Sequence, residues 1–391
     1  MSWPRVKLSD VATINPRPPR EVDESQQVTF VAMASASEDG HLLASETRVL
    51  SETKKGFTYF DRNDVLLAKI TPCFENGKCL RPGQIPTEIG FGSTEFHVIR
   101  PDGERLDGLY LFYLVWNEQF RFLGEKSMSG AAGQKRVGSD FLKGFEIPLP
   151  PLPEQKRIAA ILDKADAIRR KRQQAIQLAD DFLRAVFLDM FGDPVTNPKG
   201  WNIRPIKEMA KVTTGNTPPR DKPEYYGDFI EWIKSDNINT PSDFLTVATE
   251  YLSEAGCMVG RRVPAGSTLL TCIAGSFDCI GNSAYADREV SFNQQINALT
   301  PMPGVNGIFL YALSKYCKKA IQAASTGGMK GMVSKGKLEE VRFICPPESM
   351  QQKFAEAFHR YQGLRKGMEH SQDGLSDEFS SISQKAFSGH L

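Results

Sequence analysis

The stretch closest to a nucleotide-binding loop is Gly331-Met-Val-Ser-Lys-Gly-Lys-Leu338, which has the Gly-x4-Gly-Lys spacing of loops that cradle phosphates. In such loops the next residue is a Ser or Thr whose hydroxyl binds Mg²⁺, but here it is Leu338. The sequence also lacks the common metal-binding motifs, because the 5 histidines form no His-Glu-x-x-His pair and the 7 cysteines form no Cys-x-x-Cys pair. The sequence therefore predicts neither nucleotide hydrolysis nor a metal site on this chain.

Methyl transfer to a DNA base would need an Asn/Asp-Pro-Pro-Tyr/Phe tetrad together with a glycine-rich cofactor loop. The nearest stretch, Asn15-Pro-Arg-Pro-Pro19, does not supply the tetrad. No convincing Ser/His/Asp set is present, and His97 lies in a strand-like run, which favours a structural over a catalytic role. The chain is therefore predicted to be non-catalytic and to hold no cofactor itself.

The polar residues that remain are of the types that contact DNA, since Arg and Lys suit guanine while Asn and Gln suit adenine. The net charge is only +1, but basic residues gather in two glycine-rich loops, Gly133–Arg136 and Met329–Lys337. For each candidate, contact with a phosphate or plain exposure to solvent is favoured over base readout. The candidates are Lys69, Thr71, Asn76, Lys78, Gln134, Lys135, Arg136, Thr217, Arg220, Lys222, Lys234, Ser235, Asn237, Lys330, Lys335 and Lys337.

The two halves of the chain repeat one another at an offset of roughly 200 residues. The matching pairs are Trp3 and Trp201, Ser129–Val137 and Ser325–Val333, Leu142–Pro151 and Leu338–Pro347, Gln155 and Gln352, and Gly192 and Gly389. A repeat of this length is too long for a solenoid unit. It predicts two domains of one fold related by an approximate twofold axis, and a two-part binding target.

Each copy ends in a long segment with heptad spacing, predicted as a helix from Glu154 to about Met190 and from about Met350 to Phe387. In the first copy the apolar seam is predicted at Ile158, Ile161, Ala165, Ile168, Arg172, Ala175, Ala179, Phe182 and Val186. In the second copy it is predicted at Phe354, Phe358, Tyr361, Arg365, Met368, Gln372, Leu375, Phe379, Ile382 and Ala386. Prolines lead into the first helix, and Gly192 followed by Pro194 ends it. The helices are expected to pair as a rigid spacer; a simple hairpin or an oligomerisation arm is the alternative.

The segments before the helices contain short strand-like runs separated by Gly, Pro and Asn, which predicts an α+β fold. The predicted division is a recognition domain over 1–147, a helical spacer over 148–196, a second recognition domain over 197–345 and a second spacer over 346–391. No stretch has the apolar length of a membrane span or the pattern of a signal peptide. We therefore expect a cytoplasmic protein with no membrane partner.

In several stretches of both halves, the chain resembles the specificity subunit of type I restriction-modification systems. The most specific stretch is Ile147-Pro-Leu-Pro-Pro-Leu-Pro-Glu-Gln-Lys-Arg-Ile-Ala-Ala-Ile-Leu162, which is similar to the opening of the first conserved helical region of that family. Other similar stretches are Asp64–Lys78, Gly92–Val98, Gly215–Arg220 with Tyr225 and Tyr226, Trp232–Ile238 and Phe292–Ile296. The resemblance covers essentially the whole chain. One departure is the second helical region, which opens with Pro346-Pro-Glu-Ser-Met-Gln-Gln-Lys353 and implies weaker or asymmetric docking there.

The resemblance implies that each half recognises one part of a split sequence in double-stranded DNA. The paired helices would then set the gap and dock two adenine methyltransferase subunits, to which two restriction subunits can be added. It also implies that S-adenosylmethionine is bound by the methyltransferase subunit, and that ATP and Mg²⁺ are bound by the restriction subunit. Two alternatives stay open: a helical scaffold that does not bind DNA, and a self-contained methyltransferase or nuclease.

Overall fold

The computed structural model describes residues 3–19, 23–131, 133–325 and 331–391. The chain forms two compact units. Unit 1 contains residues 1–173 and 370–391, and unit 2 contains residues 174–369. Each unit combines strands with helices, so the predicted α+β class is confirmed. The division into four segments stays a prediction, and both long helices contribute to both units.

Unit 1 contains ten strands among its described residues. They are β1 (Arg5–Lys7), β2 (Ala12–Ile14), β3 (Gln27–Val31), β4 (Glu46–Val49), β5 (Thr58–Asp61), β6 (Val65–Ala68), β7 (Cys79–Leu80), β8 (Ile89–Gly92), β9 (Phe96–Pro101) and β10 (Glu146–Pro148). The helices of this half are α1 (Leu50–Thr53), α2 (Gly108–Trp116), α3 (Glu118–Ser127), α4 (Ser139–Gly144) and the long α5 (Leu152–Phe191).

Two four-stranded sheets form the body of unit 1, in the orders β2-β9-β6-β7 and β4-β3-β8-β5. Strands β3 and β8 run parallel, and the other described pairs are antiparallel. Helix α2 is apolar on nearly every side, and Tyr110–Val115 are all buried. Such a helix must be covered on all faces. The strands cover one side, and Ile158 and Leu162 of α5 pack into the same core.

The strands of unit 2 follow the same plan. They are β11 (Ile203–Pro205), β12 (Ala210–Thr214), β13 (Tyr226–Gly227), β14 (Ile230–Ile233), β15 (Tyr251–Leu252), β16 (Arg262–Val263), β17 (Thr268–Thr271), β18 (Ser283–Tyr285), β19 (Val290–Phe292), β20 (Ile296–Pro301) and β21 (Arg342–Ile344). The helices are α6 (Ile206–Met209), α7 (Glu254–Val259), α8 (Gly307–Tyr316), α9 (Lys318–Ala323), α10 (Lys335–Glu340) and the long α11 (Glu348–Ser388).

The sheets of unit 2 have the orders β12-β20-β17-β18 and β13-β15-β14-β19-β16. The parallel pair is β14 with β19, which matches β3 with β8 in unit 1. Helix α8 is buried along Ile308–Ser314, as α2 is in unit 1. The internal repeat seen in the sequence is therefore a repeat of topology.

The long helices have nearly the predicted bounds, Leu152–Phe191 and Glu348–Ser388. Gly192 and Gly389 follow them with positive φ angles of 75° and 79°, a conformation that suits glycine at a helix C-terminus. In unit 1 the start of α5 shares a core with Ala386, near the end of α11. In unit 2 the end of α5 shares a core with the start of α11. Within each unit the two helices therefore run antiparallel.

The predicted seam of α5 is wrong in part. Ile168 is 46% exposed and Phe182 is 68% exposed, whereas Leu162, Leu183 and Phe187 are buried. Ile158 is buried as predicted, but from Leu162 onwards the buried residues lie one position beyond the predicted ones, and the polar Asp166 occupies the middle of this face. In α11 the predicted seam is confirmed at Phe354, Phe358, Tyr361 and Arg365, which are all buried. Gln372 lies among the residues whose side chains are not described.

The predicted basic loop Met329–Lys337 is also corrected. Residues 331–334 are irregular, but Lys335 begins helix α10. The Ser334 hydroxyl accepts a hydrogen bond from the Lys337 N–H at 3.4 Å, which satisfies one free donor of the first turn, and Leu338 is buried. Met329 and Lys330 lie outside the described residues. No described helix is long and apolar enough to cross a membrane.

Candidate nucleic-acid interface

In unit 1 three loops meet at one edge of the sheets. The first follows β6, the second precedes β9, and the third precedes α4. The Lys69 N–H donates to the Glu95 carbonyl at 2.9 Å, and the Thr71 N–H donates to the Lys135 carbonyl at 3.0 Å. We call residues 69–78, 93–95, 129–131 and 133–136 the first loop edge. It brings together all seven candidates predicted in the first half of the chain.

The cations of the first loop edge are not equivalent. Arg136 donates two hydrogen bonds to the Glu95 carboxylate, at 2.9 and 2.8 Å. This pairing with Arg136 holds the pKa of Glu95 below its ordinary value. Lys135 is exposed and, among the described residues, has no ion-pair partner within 4.0 Å. Lys135 is therefore available to a phosphate, whereas Arg136 is oriented by Glu95.

The remaining candidates of the first loop edge are partly engaged within the chain. The Thr71 hydroxyl donates to Glu75 at 2.8 Å, and the Asn76 amide donates to the Glu38 carboxylate at 3.0 Å. The Lys78 ammonium lies 3.4 Å from the Met33 carbonyl oxygen. Lys69 is half-buried, and Gln134 is exposed. The edge is thus a preorganised polar surface with both signs of charge.

The buried His97 hydrogen-bonds residues next to the first loop edge. Its Nε2 lies 2.8 Å from the Val137 carbonyl oxygen, so Nε2 must carry the proton that is donated. Its Nδ1 lies 3.1 Å from the Asn15 amide nitrogen, which is a donor because the Asn15 oxygen accepts the Val98 N–H at 3.0 Å. Burial lowers the pKa of His97. The ring is neutral and structural, in agreement with the sequence interpretation.

In unit 2 the corresponding strand ends also converge. The Asn216 N–H donates to the Phe292 carbonyl at 3.1 Å, and the Cys272 N–H donates to the Gln295 carbonyl at 2.8 Å. The Val333 N–H donates to the Cys272 carbonyl at 2.9 Å, as the Val137 N–H does to the Lys69 carbonyl in unit 1. We call residues 215–222, 234–240, 272–276, 293–295 and 331–334 the second loop edge.

Two predicted cations of the second loop edge share one acid. Arg220 lies 2.9 Å from the Glu250 carboxylate, and the Lys234 ammonium donates to its other oxygen. The pairing with Lys234, and then with Arg220, lowers the pKa of Glu250. The Arg220 guanidinium also lies over the Tyr226 and Trp232 rings, at 4.6 and 4.8 Å from the centroids. Stacking and ion pairing together fix the direction of Arg220.

Two glutamines at the second loop edge were missed as candidates. The Thr217 hydroxyl donates to Gln294, and the Ser235 hydroxyl donates to Gln295 at 3.2 Å. The amide oxygen of each glutamine thus accepts a hydrogen bond from a neighbouring hydroxyl. The sequence could have identified both glutamines, because they lie within Phe292–Ile296, one of the stretches that resemble the family.

The other predicted residues of the second half lie in three settings. Asn237 is only 8% exposed, and its amide hydrogen-bonds Thr246 and Val247, so it shapes the loop and does not present its amide to solvent. Lys222 is exposed, with its ammonium 5.4 Å from the Tyr225 ring. Lys335 and Lys337 lie on α10, beyond the second loop edge. Lys330 is outside the described residues.

The basic run Arg169–Arg172 on α5 is partly used within unit 1. Arg169 and Arg170 each donate to the buried Asp166 carboxylate at 2.9 Å. Arg169 also lies 5.6 Å from the Trp116 ring. The first two arginines therefore stabilise the fold, and neither is a freely exposed cation.

The chemistry available at both loop edges is recognition. Hydroxyls, amides and oriented cations can hydrogen-bond base edges and phosphates. Over the part of the chain that the structure describes, no group of three or more His, Cys, Asp or Glu residues could hold a metal ion.

A family model described as the type I restriction modification DNA specificity domain matches residues 2–178 and 198–371. The chain belongs to this family. The family model matches once in each half, as expected from the repeat of topology.

Curated relatives agree with this assignment, and a solved structure shares the fold. The type I restriction enzyme EcoEI specificity subunit of Escherichia coli is 39% identical over 165 residues, which are 41% of this chain and 27% of that protein. The EcoAI specificity subunit of Escherichia coli is 40% identical over 158 residues, 40% of this chain and 26% of that protein. The matched parts thus span about a quarter of those relatives. A chain solved in work on complex assembly and conformational transition of the type I R-M system has a TM-score of 0.57 at 18% identity, covering 100% of this chain and 98% of that one, which shows the shared fold.

Proposed function

We propose that this chain is the DNA-specificity subunit of a type I restriction-modification complex. It binds a bipartite, asymmetric sequence in double-stranded DNA, with one half-site at each loop edge. The observation that supports this most directly is that the two loop edges are built from equivalent strand ends but carry different side chains. Glu95 and Arg136 lie at the first edge, whereas Gln294 and Gln295 lie at the second. Different side chains select different bases, so the two half-sites differ.

Binding to duplex DNA does not require a strongly basic chain. The exposed Lys135 and Lys222 and the oriented Arg220 supply cations at the loop edges for phosphate contact. Each phosphate contact makes affinity fall with rising salt. Because the net charge of the chain is only +1, partner subunits supply further positive surface in the complex.

Docking of two adenine methyltransferase subunits on the long helices is the second part of the proposal. It is supported by exposed apolar side chains on the outer face of α5. Leu178 and Phe182, one turn apart, are 67% and 68% exposed. Contiguous exposed apolar residues on a helix are typical of a surface that binds another protein. Restriction subunits join the complex through the methyltransferase subunits.

In this complex the chain supplies sequence recognition and no bond-making chemistry. S-adenosylmethionine is then held by the methyltransferase subunits, and ATP with Mg²⁺ by the restriction subunits. The polar loop edges described above support the recognition role, because their hydroxyls, amides and cations can hydrogen-bond base edges and phosphates.

The decisive experiment is single-molecule sequencing of methylated adenine in cells that express the methyltransferase subunit with or without this chain. We expect the chain to add one split motif with a fixed gap between unlike halves. A matched variant, Lys135→Glu, should lose the motif, whereas Lys143→Glu on α4 should keep it. Identical palindromic halves would contradict two different half-sites. No added methylation, with both proteins present and associated, would favour a scaffold that does not bind DNA.

A further inference from the structure

One exposed apolar feature of unit 2 lies beside the second loop edge. Met258 is 82% exposed, the highest value for a large apolar side chain among the described residues, and Val259 is 44% exposed. They form the end of α7, and Arg261 and Arg262 lead from there into β16. We call residues 258–262 the methionine tip. Isolated exposed apolar residues are common, but an adjacent pair at the end of an anchored helix needs an explanation.

The methionine tip is anchored to the second loop edge through Asn216. The Asn216 amide donates to the Val259 carbonyl at 2.9 Å, and its oxygen accepts the Arg261 N–H at 2.7 Å. Arg261 itself donates to the Thr214 carbonyl at 2.7 Å, and its carbonyl accepts the Ser291 hydroxyl at 2.8 Å. These hydrogen bonds join the tip to Thr214 and Asn216 on one side and to Ser291 on the other, so they fix its position relative to the second loop edge.

Two glycines bring the tip close to its support. A Cβ atom on Gly256 would lie 1.8 Å from the Tyr225 carbonyl oxygen, and one on Gly260 would lie 2.8 Å from the Ser291 hydroxyl. No larger side chain fits at these positions without moving the backbone. The backbone on both sides of Met258 and Val259 is therefore packed closely against its support, while the Met258 side chain is exposed.

The location of the tip follows from strand register. Arg262 pairs with Ser291, one residue before Phe292 and directly beside the turn that carries Gln294. Arg261 and Arg262 are exposed and place positive charge next to the apolar pair, and the Arg262 guanidinium lies 3.6 Å from the Glu289 carboxylate, which neutralises part of that charge. Some proteins insert apolar side chains as a wedge between stacked bases of DNA. Cations on either side of such a wedge can contact the neighbouring phosphates.

We propose that Met258 and Val259 form a wedge that enters a base step of the second half-site and kinks the duplex there. This inference rests on the proposed function. In unit 1 the equivalent connection, between α1 and β5, reads Lys54-Lys-Gly-Phe57, where Phe57 is 38% exposed and packs edge-on against the Phe30 ring, with 4.8 Å between the ring centroids. At the second half-site, sequence-dependent deformability of the DNA adds to the specificity.

The test uses the full chain in complex with its methyltransferase subunit, on duplexes that carry the methylated motif. Fluorescence energy transfer between dyes at the two DNA ends reports bending, and 2-aminopurine placed at each adenine of the second half-site reports local unstacking. We expect bending and one bright position with the wild-type complex. Met258→Ala with Val259→Ala should abolish both signals and weaken binding by about tenfold, on the scale of the unstacking and contact energies of such wedges. Met258→Leu should retain them.

Val195→Ala is the matched control, because Val195 is 67% exposed in the same unit but lies before β11. The double alanine variant removes only exposed side chains, so its thermal unfolding should match that of the wild type. Unchanged bending and affinity in the double variant would overturn the wedge while leaving the proposed function in place. Loss of methyltransferase association with intact DNA bending would assign the tip to a protein contact. A wild-type complex that does not distinguish the motif from a scrambled duplex would overturn both proposals.

Discussion

Gln155 and Gln351 make the same three hydrogen bonds, each within its own unit. The Gln155 oxygen accepts the Asp107 N–H at 2.8 Å, and its amide donates to the Arg105 and Pro150 carbonyls, both at 2.8 Å. The Gln351 oxygen accepts the Asn306 N–H at 2.9 Å, and its amide donates to the Pro346 and Gly304 carbonyls at 2.8 and 3.4 Å. The structural counterpart of Gln155 is therefore Gln351, and the pairing with Gln352 inferred from the sequence is wrong.

Both glutamines are fully buried and connect the start of a long helix to the N-terminal cap of α2 or α8. Gln155→Ala and Gln351→Ala should each lower the free energy of unfolding by about 1–3 kcal/mol, because buried backbone groups lose their partners. Gln352→Ala, at an exposed neighbouring position, should change it by less than about 0.5 kcal/mol. Urea unfolding of the three variants measures these differences. Equal effects of Gln351→Ala and Gln352→Ala would contradict the assignment.

The buried Asp166 predicts an acid-sensitive stability of unit 1. Burial alone would raise its pKa, but His41, 3.7 Å away, and hydrogen bonds from Arg169 and Arg170 outweigh that effect and lower the pKa to about 2. Because the folded-state pKa lies below the ordinary 3.8, the ionised carboxylate stabilises the fold above that pH, and this contribution is lost as the pH falls towards 2. The loss should amount to about 2 kcal/mol.

The measurement is the difference in unfolding free energy between wild type and Asp166→Asn as a function of pH. We expect this difference to shrink as the pH falls from above 4 towards 2. Asp189→Asn, which changes an exposed carboxylate on the same helix, serves as the control and should show no such trend. A difference that is independent of pH would contradict the lowered pKa.

Lys135 should contact a DNA phosphate and not a base. Lys135→Ala is expected to weaken binding to all sequences to a similar degree and to lower the slope of log affinity against log salt by about one. Lys143→Ala should leave the slope unchanged, since α4 packs against the Leu8–Asp10 turn and not at the first loop edge. Filter-binding titrations across a salt series give the slopes. A change in the methylated motif, with an unchanged slope, would assign Lys135 to base readout.

Leu178 and Phe182 should be required for association with the methyltransferase subunit. Leu178→Glu with Phe182→Glu places charges in the proposed interface and is expected to abolish co-purification of the two proteins. The circular dichroism spectrum should stay that of the wild type, because both side chains are exposed on this chain. Leu43→Glu, at a residue that is 68% exposed in unit 1, is the matched control. Retained co-purification of the double variant would place the docking surface elsewhere.

The helices could be predicted from the sequence because their signals are local. Prolines before α5 and glycines after both long helices define the ends, and the apolar spacing of α11 identifies its buried face. The seam of α5 could not be predicted in the same way. Its buried face contains Asp166, whose contact with His41 depends on a loop more than a hundred residues away in sequence.

The candidate site shows the same limit. The loops that meet at each edge were identified from residue types and from family resemblance. The roles of single residues depend on partners that are distant in sequence, such as Glu95 for Arg136 and Glu250 for Arg220. Spacing along the chain cannot distinguish an oriented arginine from a free lysine, and Lys135 beside Arg136 is an example.

The composition of unit 1 has a consequence for synthesis of the protein. Its last part, residues 370–391, leaves the ribosome after the whole of unit 2 has been made, and this part carries Ala386 into the core of unit 1. Domains generally fold as units during translation, with the N-terminal domain first. Here the order of completion is reversed. A ribosome paused near residue 369 would have synthesised every residue of unit 2, but unit 1 would still lack the helix end that carries Ala386 into its core.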